Sequence, residues 1–250
     1  MVKNNDCDIV VLTCDKYDDA WEPFFKLKNK YWKNCKYNTY LITEKKKCSF
    51  CETININENI WSKRVRDGLK KLKSKFVIII LEDFFIRDYV DTKRIEYCIK
   101  NFPENAACFN FEISNDPYDI DSKFKGFKIK TKESTYKCSC QAALWDRQKL
   151  INLLSYDCDP WTWETTEPIK DYDFYINSSN YVIDYGYKNG MWFGIKSGKW
   201  FKKDVVPLFK KEGIDVDFSR LGFYKEEKIK KFTKRVTERV VGKISRMVRK

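Results

Sequence analysis

The run Phe76–Leu81, FVIIIL, is apolar without alternation. A short β-branched run of this kind fits a strand buried on both faces, at the centre of a sheet covered by helices. It opens the stretch FVIIILEDFFI, in which Glu82 and Asp83 stand at the strand's carboxyl end. In open α/β sheets, ligands bind in the crevice outside that end. Two carboxylates there can hold a hard divalent cation, and such a cation can hold a nucleotide diphosphate. The competing reading is a strand that ends in solvent with two solvated acids.

The elements on either side support a sheet of this type. Asp8–Thr13, DIVVLT, reads as the first strand, followed by a polar turn over Cys14–Tyr17. A helix follows, capped by Asp18 or Asp19, with Pro23 in its first turn. Tyr37–Thr43 and Glu52–Ile56 read as two further strands. Trp61, Val65, Leu69 and Leu72 fall on one face of a helix. Strand, helix, two strands, helix and strand in that order predict a mostly parallel sheet with helices packed on it. Beyond it, Asp91–Phe102 reads as a helix and Ala106–Phe111 as a strand. Phe127–Thr131 alternates like a strand. Cys140–Trp145 leads into a helix over Arg147–Leu154, and Asp159–Glu164 is a turn opening on a helix. Tyr181–Gly194 is strand-like, with a turn at Asn189–Gly190.

With 250 residues, the chain has room for one large α/β domain or two small ones. Its net charge of +13 points to an anionic partner: nucleic acid, nucleotide or a lipid surface. Met1–Asp8 is polar, and no apolar run approaches the roughly 20 residues of a membrane span. The expected location is therefore cytosolic, with the ten cysteines reduced. Cys48-Ser-Phe-Cys51 has CxxC spacing, and a zinc site there is one possibility. The sequence contains no histidine. That excludes Ser-His-Asp and Cys-His nucleophile systems and every His-based metal site. Acid–base work falls to Asp, Glu, Lys, Tyr or Cys.

Five pieces in order carry a resemblance: LTCDKY, WSKRVRDGL, IIILEDFF, SCQAALW and PWTWE. From about Asp8 to Glu167 the chain resembles the GT-A type nucleotide-sugar glycosyltransferases, in particular the small bacterial polysaccharide-type transferases. The resemblance implies a GT-A-like (Rossmann-like) α/β fold, with a mostly parallel central sheet flanked by helices. It implies that Thr13, Cys14, Asp15 and Tyr17 bind the donor's nucleoside and that Arg64 and Asp67 reach the nucleotide. Glu82–Asp83 stands where the family has its Asp-x-Asp metal motif, for Mn²⁺ or Mg²⁺. The spacing departs from that motif, because residue 81 is Leu. Adjacent strand residues point to opposite faces, so Asp83 is the expected direct metal ligand. Glu164 is the expected general base toward the acceptor hydroxyl. Trp161 and Trp163 are expected to stack on an acceptor sugar, with Gln141 and Trp145 beside them, although packing of a buried turn at Ala142–Ala143 would also explain the latter two. For the two tryptophans, the alternative is a core role.

The expected division is a catalytic domain over 1–222 and a basic amphipathic helix over 223–250. Residues 225–250 hold eleven Lys or Arg against three Glu. Ile229, Phe232, Val236, Val240, Ile244 and Met247 form one apolar stripe. Three readings of this tail stay open: a docked helix, a helix on an anionic membrane surface, and a nucleic-acid contact. The favoured expectation is a glycosyltransferase that uses a nucleotide-sugar donor and a saccharide or lipid-linked acceptor, peripheral at the membrane. A nucleic-acid-binding protein and a nucleotidyltransferase are the alternatives. Against the latter, Leu12–Tyr17 contains no glycine and so no Gly-rich phosphate loop.

Overall fold

The computed structural model describes residues 6–166, 171–186 and 193–225. Asn189–Gly190, Glu167 and nearly all of the basic tail lie outside the described residues.

The chain begins with β1 (Cys7–Leu12), a 3₁₀ turn (Asp15–Ala20) and α1 (Trp21–Tyr31). Next come β2 (Thr39–Thr43), β3 (Glu52–Asn55), α2 (Trp61–Lys70) and β4 (Phe76–Leu81). They are followed by α3 (Thr92–Lys100), β5 (Ala106–Ile113), β6 (Ile120–Asp121) and β7 (Phe127–Ile129). Then come β8 (Ala143–Asp146), α4 (Arg147–Leu153), α5 (Pro160–Thr165) and β9 (Asp173–Asn177). The hairpin β10 (Ile195–Lys196) and β11 (Lys199–Trp200) precedes α6 (Lys202–Glu212).

Among the described residues, nine strands form one sheet in the order β3-β2-β1-β4-β8-β5-β9-β7-β6. The pairs β3–β2, β2–β1, β1–β4 and β5–β9 are parallel. β8 and β7 run against their neighbours, and the other strands share one direction. The fold is α/β with a mostly parallel central sheet flanked by helices, as the alternation of elements predicts.

The central strand is the FVIIIL run, and its two faces feed two cores. Ile78 and Ile80 join Ile9 and Val11 under α1, α3 and α6. Val77 and Ile79 join Val10 and Leu12 under α2, α4 and α5. On α2, Val65, Leu69 and the following Leu72 are buried as their spacing predicts. A Cβ at Gly68 would stand 2.5 Å from the Ile42 side chain, so glycine lets this helix lie close on β2.

Four expectations change. Ala143–Asp146 is a strand rather than a lead-in to α4, and it is inserted between β4 and β5 with Ala143 opposite Ile79. β9 was not expected at all. Residues 181–186 hold no strand. Finally, α1 starts at Trp21, and Asp18 and Asp19 do not cap it but form ion pairs with Arg220. The described start of the tail packs onto the domain, since Tyr224 N–H donates to Trp200 O at 2.9 Å and Phe223 bridges to Trp200. No helix among the described residues is long and apolar enough to cross a membrane.

Ile78 is fully buried between β1 and β8. Ile78→Ala should cost about 2–5 kcal/mol of stability through lost transfer energy and a residual cavity. Urea denaturation checks this, and a loss below about 1 kcal/mol would mean that the site collapses around the smaller side chain or that this strand is not central.

Candidate active site at the carboxyl edge

β1 and β4 pair in register, with Leu12 level with Leu81. Thr13 and Cys14 therefore leave the sheet beside Glu82 and Asp83. The strand ends at Leu81, and both acids sit in a turn. The alternation of faces expected for them stops one residue too early to separate them. Glu82 is buried and Asp83 half-buried. Burial, then the charge of Asp83, pushes the Glu82 carboxyl well above its usual range. Burial also raises Asp83, against the Ile195 N–H that stabilises its charge. An excess of negative charge in a dry site calls for a positive partner.

The expected nucleoside-site residues divide into two groups. Cys14 and Tyr17 gather around the acids: burial and then Glu82 raise the Cys14 thiol to about 11. Tyr17 is raised by burial and by the charges of Cys14, Glu82 and Asp83. Thr13 is buried, accepts Trp21 Nε1–H at 3.0 Å and hydrogen-bonds Glu82. Asp15, by contrast, is committed to the protein. Its carboxylate accepts the Thr43 hydroxyl at 2.8 Å and the N–H groups of Lys45 and Lys46 at 3.1 and 3.0 Å. Burial opposes its charge, but these donors hold it below the usual carboxylate range. These bonds give Asp15 a role in shaping the turn.

Arg64 and Asp67 lie on α2, which begins at the carboxyl edge because it follows a parallel strand. Arg64 is buried and pairs with Glu44 Oε1 at 2.9 Å, while Nη1 also donates to Glu58 O at 2.8 Å. Its Nε is buried with no hydrogen-bond partner among the described residues. Asp67 instead pairs on the surface with Lys70 at 2.9 Å and Arg66 at 3.7 Å. Neither ion pair ties Asp67 to the acid pair.

Two contributors were missed. Glu44, directly after β2, ties Arg64 to the turn by accepting the Asp15 N–H at 2.6 Å. An acid just past a strand's carboxyl end was the signal, the same one that marks Glu82. The second is the β10–β11 hairpin. Asp83 Oδ2 accepts Ile195 N–H at 3.1 Å, and its backbone oxygen accepts Gly194 N–H at 2.7 Å. A Cβ at Gly194 would lie 2.3 Å from the Phe85 ring, so the close approach needs glycine. The hairpin turn at Gly198 lies against Lys16 and Tyr17. Nothing in the sequence around Ile195 signals this clamp.

Because β8 runs antiparallel, the loop before it emerges at the carboxyl edge of β4. Ala142 O accepts Phe111 N–H at 2.9 Å, and extending the β4 register sets half-buried Gln141 level with Leu81. Glu164 on α5 is held to this loop, with Oε1 accepting Cys140 N–H at 2.6 Å and the Ser139 hydroxyl at 3.3 Å. Burial raises its pKa, against the Cys140 and Ser139 hydrogen bonds. A carboxyl adjusted upward is suited to taking a proton near neutral pH.

The tryptophans separate by burial. Trp145 is 1% exposed in the middle of β8, and Trp163 is 3% exposed. Their ring centroids are 5.8 Å apart, and Trp163 also meets Trp61 at 5.6 Å. Both are core residues that present no free ring face, which corrects their expected place at an acceptor. Trp161 is 67% exposed.

Mn²⁺ or Mg²⁺ fits the acid pair in chemistry, since Glu82 and Asp83 offer hard oxygens whose pKa values stay raised despite the Thr13 and Ile195 hydrogen bonds. Among the described residues, no group of three or more His, Cys, Asp or Glu could hold a metal. The protein would thus supply two carboxylates at most, and other oxygens the rest.

No protein-family model and no curated protein matches the chain. Among solved structures, it is similar to the bifunctional IspDF from Campylobacter jejuni, at 12% identity and TM-score 0.36, over 63% of this chain and 46% of that one. It is similar to a cytidylyltransferase from Leptospira borgpetersenii serovar Hardjo-bovis, at 11% identity and TM-score 0.39, over 64% and 68%. It is also similar to residues 1–349 of TarS from S. aureus, at 10% identity and TM-score 0.35, over 69% and 60%. The chain thus spans about half the length of the IspDF structure.

Burial separates the effects of the two α5 tryptophans. Trp163→Ala should lose about 3–5 kcal/mol of stability as a core truncation. Trp161→Ala should stay within about 0.5 kcal/mol of the parent. Chemical denaturation of the two variants checks this, and equal losses would contradict the assignment.

Proposed function

We propose that the chain is a glycosyltransferase that moves a sugar from a nucleoside-diphosphate donor to a hydroxyl of a saccharide or lipid-linked acceptor. The observation that carries this reading is the acid pair, buried Glu82 and half-buried Asp83, set level with Thr13–Cys14 at the carboxyl edge by the β1–β4 register. Such an edge is where an α/β sheet takes a nucleotide.

In this reading, Thr13, Cys14 and Tyr17 line the donor's nucleoside subsite, with Asp15 and Glu44 fixing the turn and Arg64. The buried Arg64 guanidinium is a cation aimed at donor phosphate. The acid pair, with Asp83 as the direct ligand, would hold Mn²⁺ or Mg²⁺. When bound, the ion would neutralise the diphosphate of the leaving nucleotide. The hairpin clamped by Asp83 covers one side of the crevice and brings Lys16 alongside. Glu164, oriented by Cys140 N–H and Ser139, takes the proton from the acceptor hydroxyl as the anomeric carbon is attacked. Gln141 and the exposed face of Trp161 bind the acceptor. A lipid-linked acceptor would suit the basic tail from Lys225 onward as a contact to an anionic membrane.

A screen of nucleotide-sugars by nucleoside-diphosphate release, with and without Mn²⁺ or Mg²⁺, tests the reading. At least one donor should be turned over, and Glu82→Gln should lower its turnover by tenfold or more with the domain still folded. Release of inorganic diphosphate from a nucleoside triphosphate would replace the reading with nucleotidyl transfer. Thermal stabilisation by oligonucleotides alone would replace it with nucleic-acid binding.

Glu164→Gln keeps shape and hydrogen bonding but removes basicity. It should lower kcat about 10²–10⁴-fold, the usual size of general-base catalysis, and leave nucleoside-diphosphate affinity unchanged. An unchanged kcat would remove Glu164 from the mechanism. A loss of nucleotide affinity would move it to the donor site.

A further inference from the structure

Residues 44–51 join β2 to β3 along the outer part of the sheet. The loop is held in place: Cys48 N–H donates to Thr53 Oγ1 at 2.8 Å, and Asn55 Nδ2 donates to Lys46 O at 2.8 Å. The Phe50 ring stacks on Phe25 of α1, with centroids 5.7 Å apart and planes 17° from parallel. Between these anchors the chain bends over Ser49–Cys51. The bend brings together the free thiols of Cys48 and Cys51, both half-buried and within reach of solvent.

The two sulfurs share a hydrogen bond. That bond is the largest influence on Cys48 and, with the N–H groups of Phe50 and Cys51, brings its thiol down to about 6 against the effect of burial. The same bond, then burial and the Cys48 charge, raises Cys51 far above the usual range. The pair thus divides into a thiolate and a thiol that donates to it. The charged neighbours are Lys28 from α1, whose charge favours ionisation of Cys51, and Glu52 from β3, which opposes it. Lys28 is buried, and Cys35 faces it alongside Cys51. A four-ligand zinc site is not assembled here, since no set of three or more metal-binding groups comes together among the described residues.

We propose that Cys48 and Cys51 form a redox-active dithiol that exchanges with low-molecular-weight disulfides, with Cys48 as the attacking and Cys51 as the resolving residue. The Cys48 thiolate attacks one sulfur of the small disulfide. A Cys48 mixed disulfide forms, and the first small thiolate leaves. Cys51 then loses its proton to solvent and attacks the Cys48 sulfur, so the second small thiolate leaves. Two protein thiols are oxidised to one disulfide, and the small disulfide is reduced to two thiols. The dithiol is independent of the reaction at the carboxyl edge. It is nonetheless close to it in sequence, because the N–H groups of Lys45 and Lys46 in the same loop hold Asp15.

The test is incubation of the full chain with oxidised glutathione, followed by peptide mass mapping. The parent should gain a Cys48–Cys51 disulfide, Cys51→Ser should keep one glutathione on Cys48, and Cys48→Ser should gain neither. Glutathione appearing first on other cysteines would overturn the proposal, as would a Cys48→Ser variant modified at Cys51 as fast as Cys51→Ser is at Cys48. A second measurement needs no variant. At pH 6 the thiolate fraction of Cys48 should exceed that of an ordinary thiol roughly 160-fold, offset about 13-fold by lower intrinsic nucleophilicity. Iodoacetamide should therefore modify Cys48 roughly tenfold faster than a model cysteine peptide at that pH. Equal rates would overturn the assignment of Cys48 as the attacking thiol.

Discussion

The parallel pairing of β1 with β4 is the contact on which the rest of the molecule depends. Both strands are buried on both faces, and their apolar residues from Ile9 to Leu12 and from Phe76 to Ile80 alternate between two cores. A slip of one residue would exchange those cores along the whole strand. The register is therefore fixed by packing, and the same register brings Thr13–Cys14 level with Glu82–Asp83. Core and crevice are consequences of one alignment. The hydrophobic run does not merely support the site but sets its spacing.

Much of this was legible in the sequence. Phe76–Leu81 carries no polar residue, so a doubly covered strand was the reading it allowed. The stripe Trp61, Val65, Leu69 and Leu72 fixed the buried face of α2. β8 was not legible, because Ala143–Asp146 has only four residues and ends in Asp146, which caps α4 by accepting Lys149 N–H at 3.0 Å. Local pattern there favours a helix entrance, and the strand exists only because β4 and β5 leave a gap for it. β9 did carry a signal, Phe174–Ile176 between polar residues, that could have been read.

The site divided along the same line. The placement of Cys14, Tyr17, Arg64 and the acid pair at one sheet edge follows from elements whose order was readable. Asp15 looked equivalent to its neighbours, but it turns inward to a loop 30 residues further on. The sequence offers no measure of that choice. Trp161 and Trp163 resembled a carbohydrate platform, with Trp145 beside them, because large flat rings suit both stacking and packing. Burial decided between the two, and burial is a property of the assembled sheet.

The hairpin over the crevice is attached to Asp83 through the main-chain N–H groups of Gly194 and Ile195. Beyond Gly194, this attachment asks nothing of the hairpin's side chains. Lys196 and Lys199 take no part in this attachment, whereas the turn between them is constrained: Ser197 and Gly198 hold φ of 49° and 77°, and a Cβ at Gly198 would meet Lys16 Nζ at 2.8 Å. A lineage could alter the side chains at Lys196 and Lys199 while the acid pair and its scaffold stay as they are. Anchoring by backbone thus separates evolvability of those side chains from constancy of position.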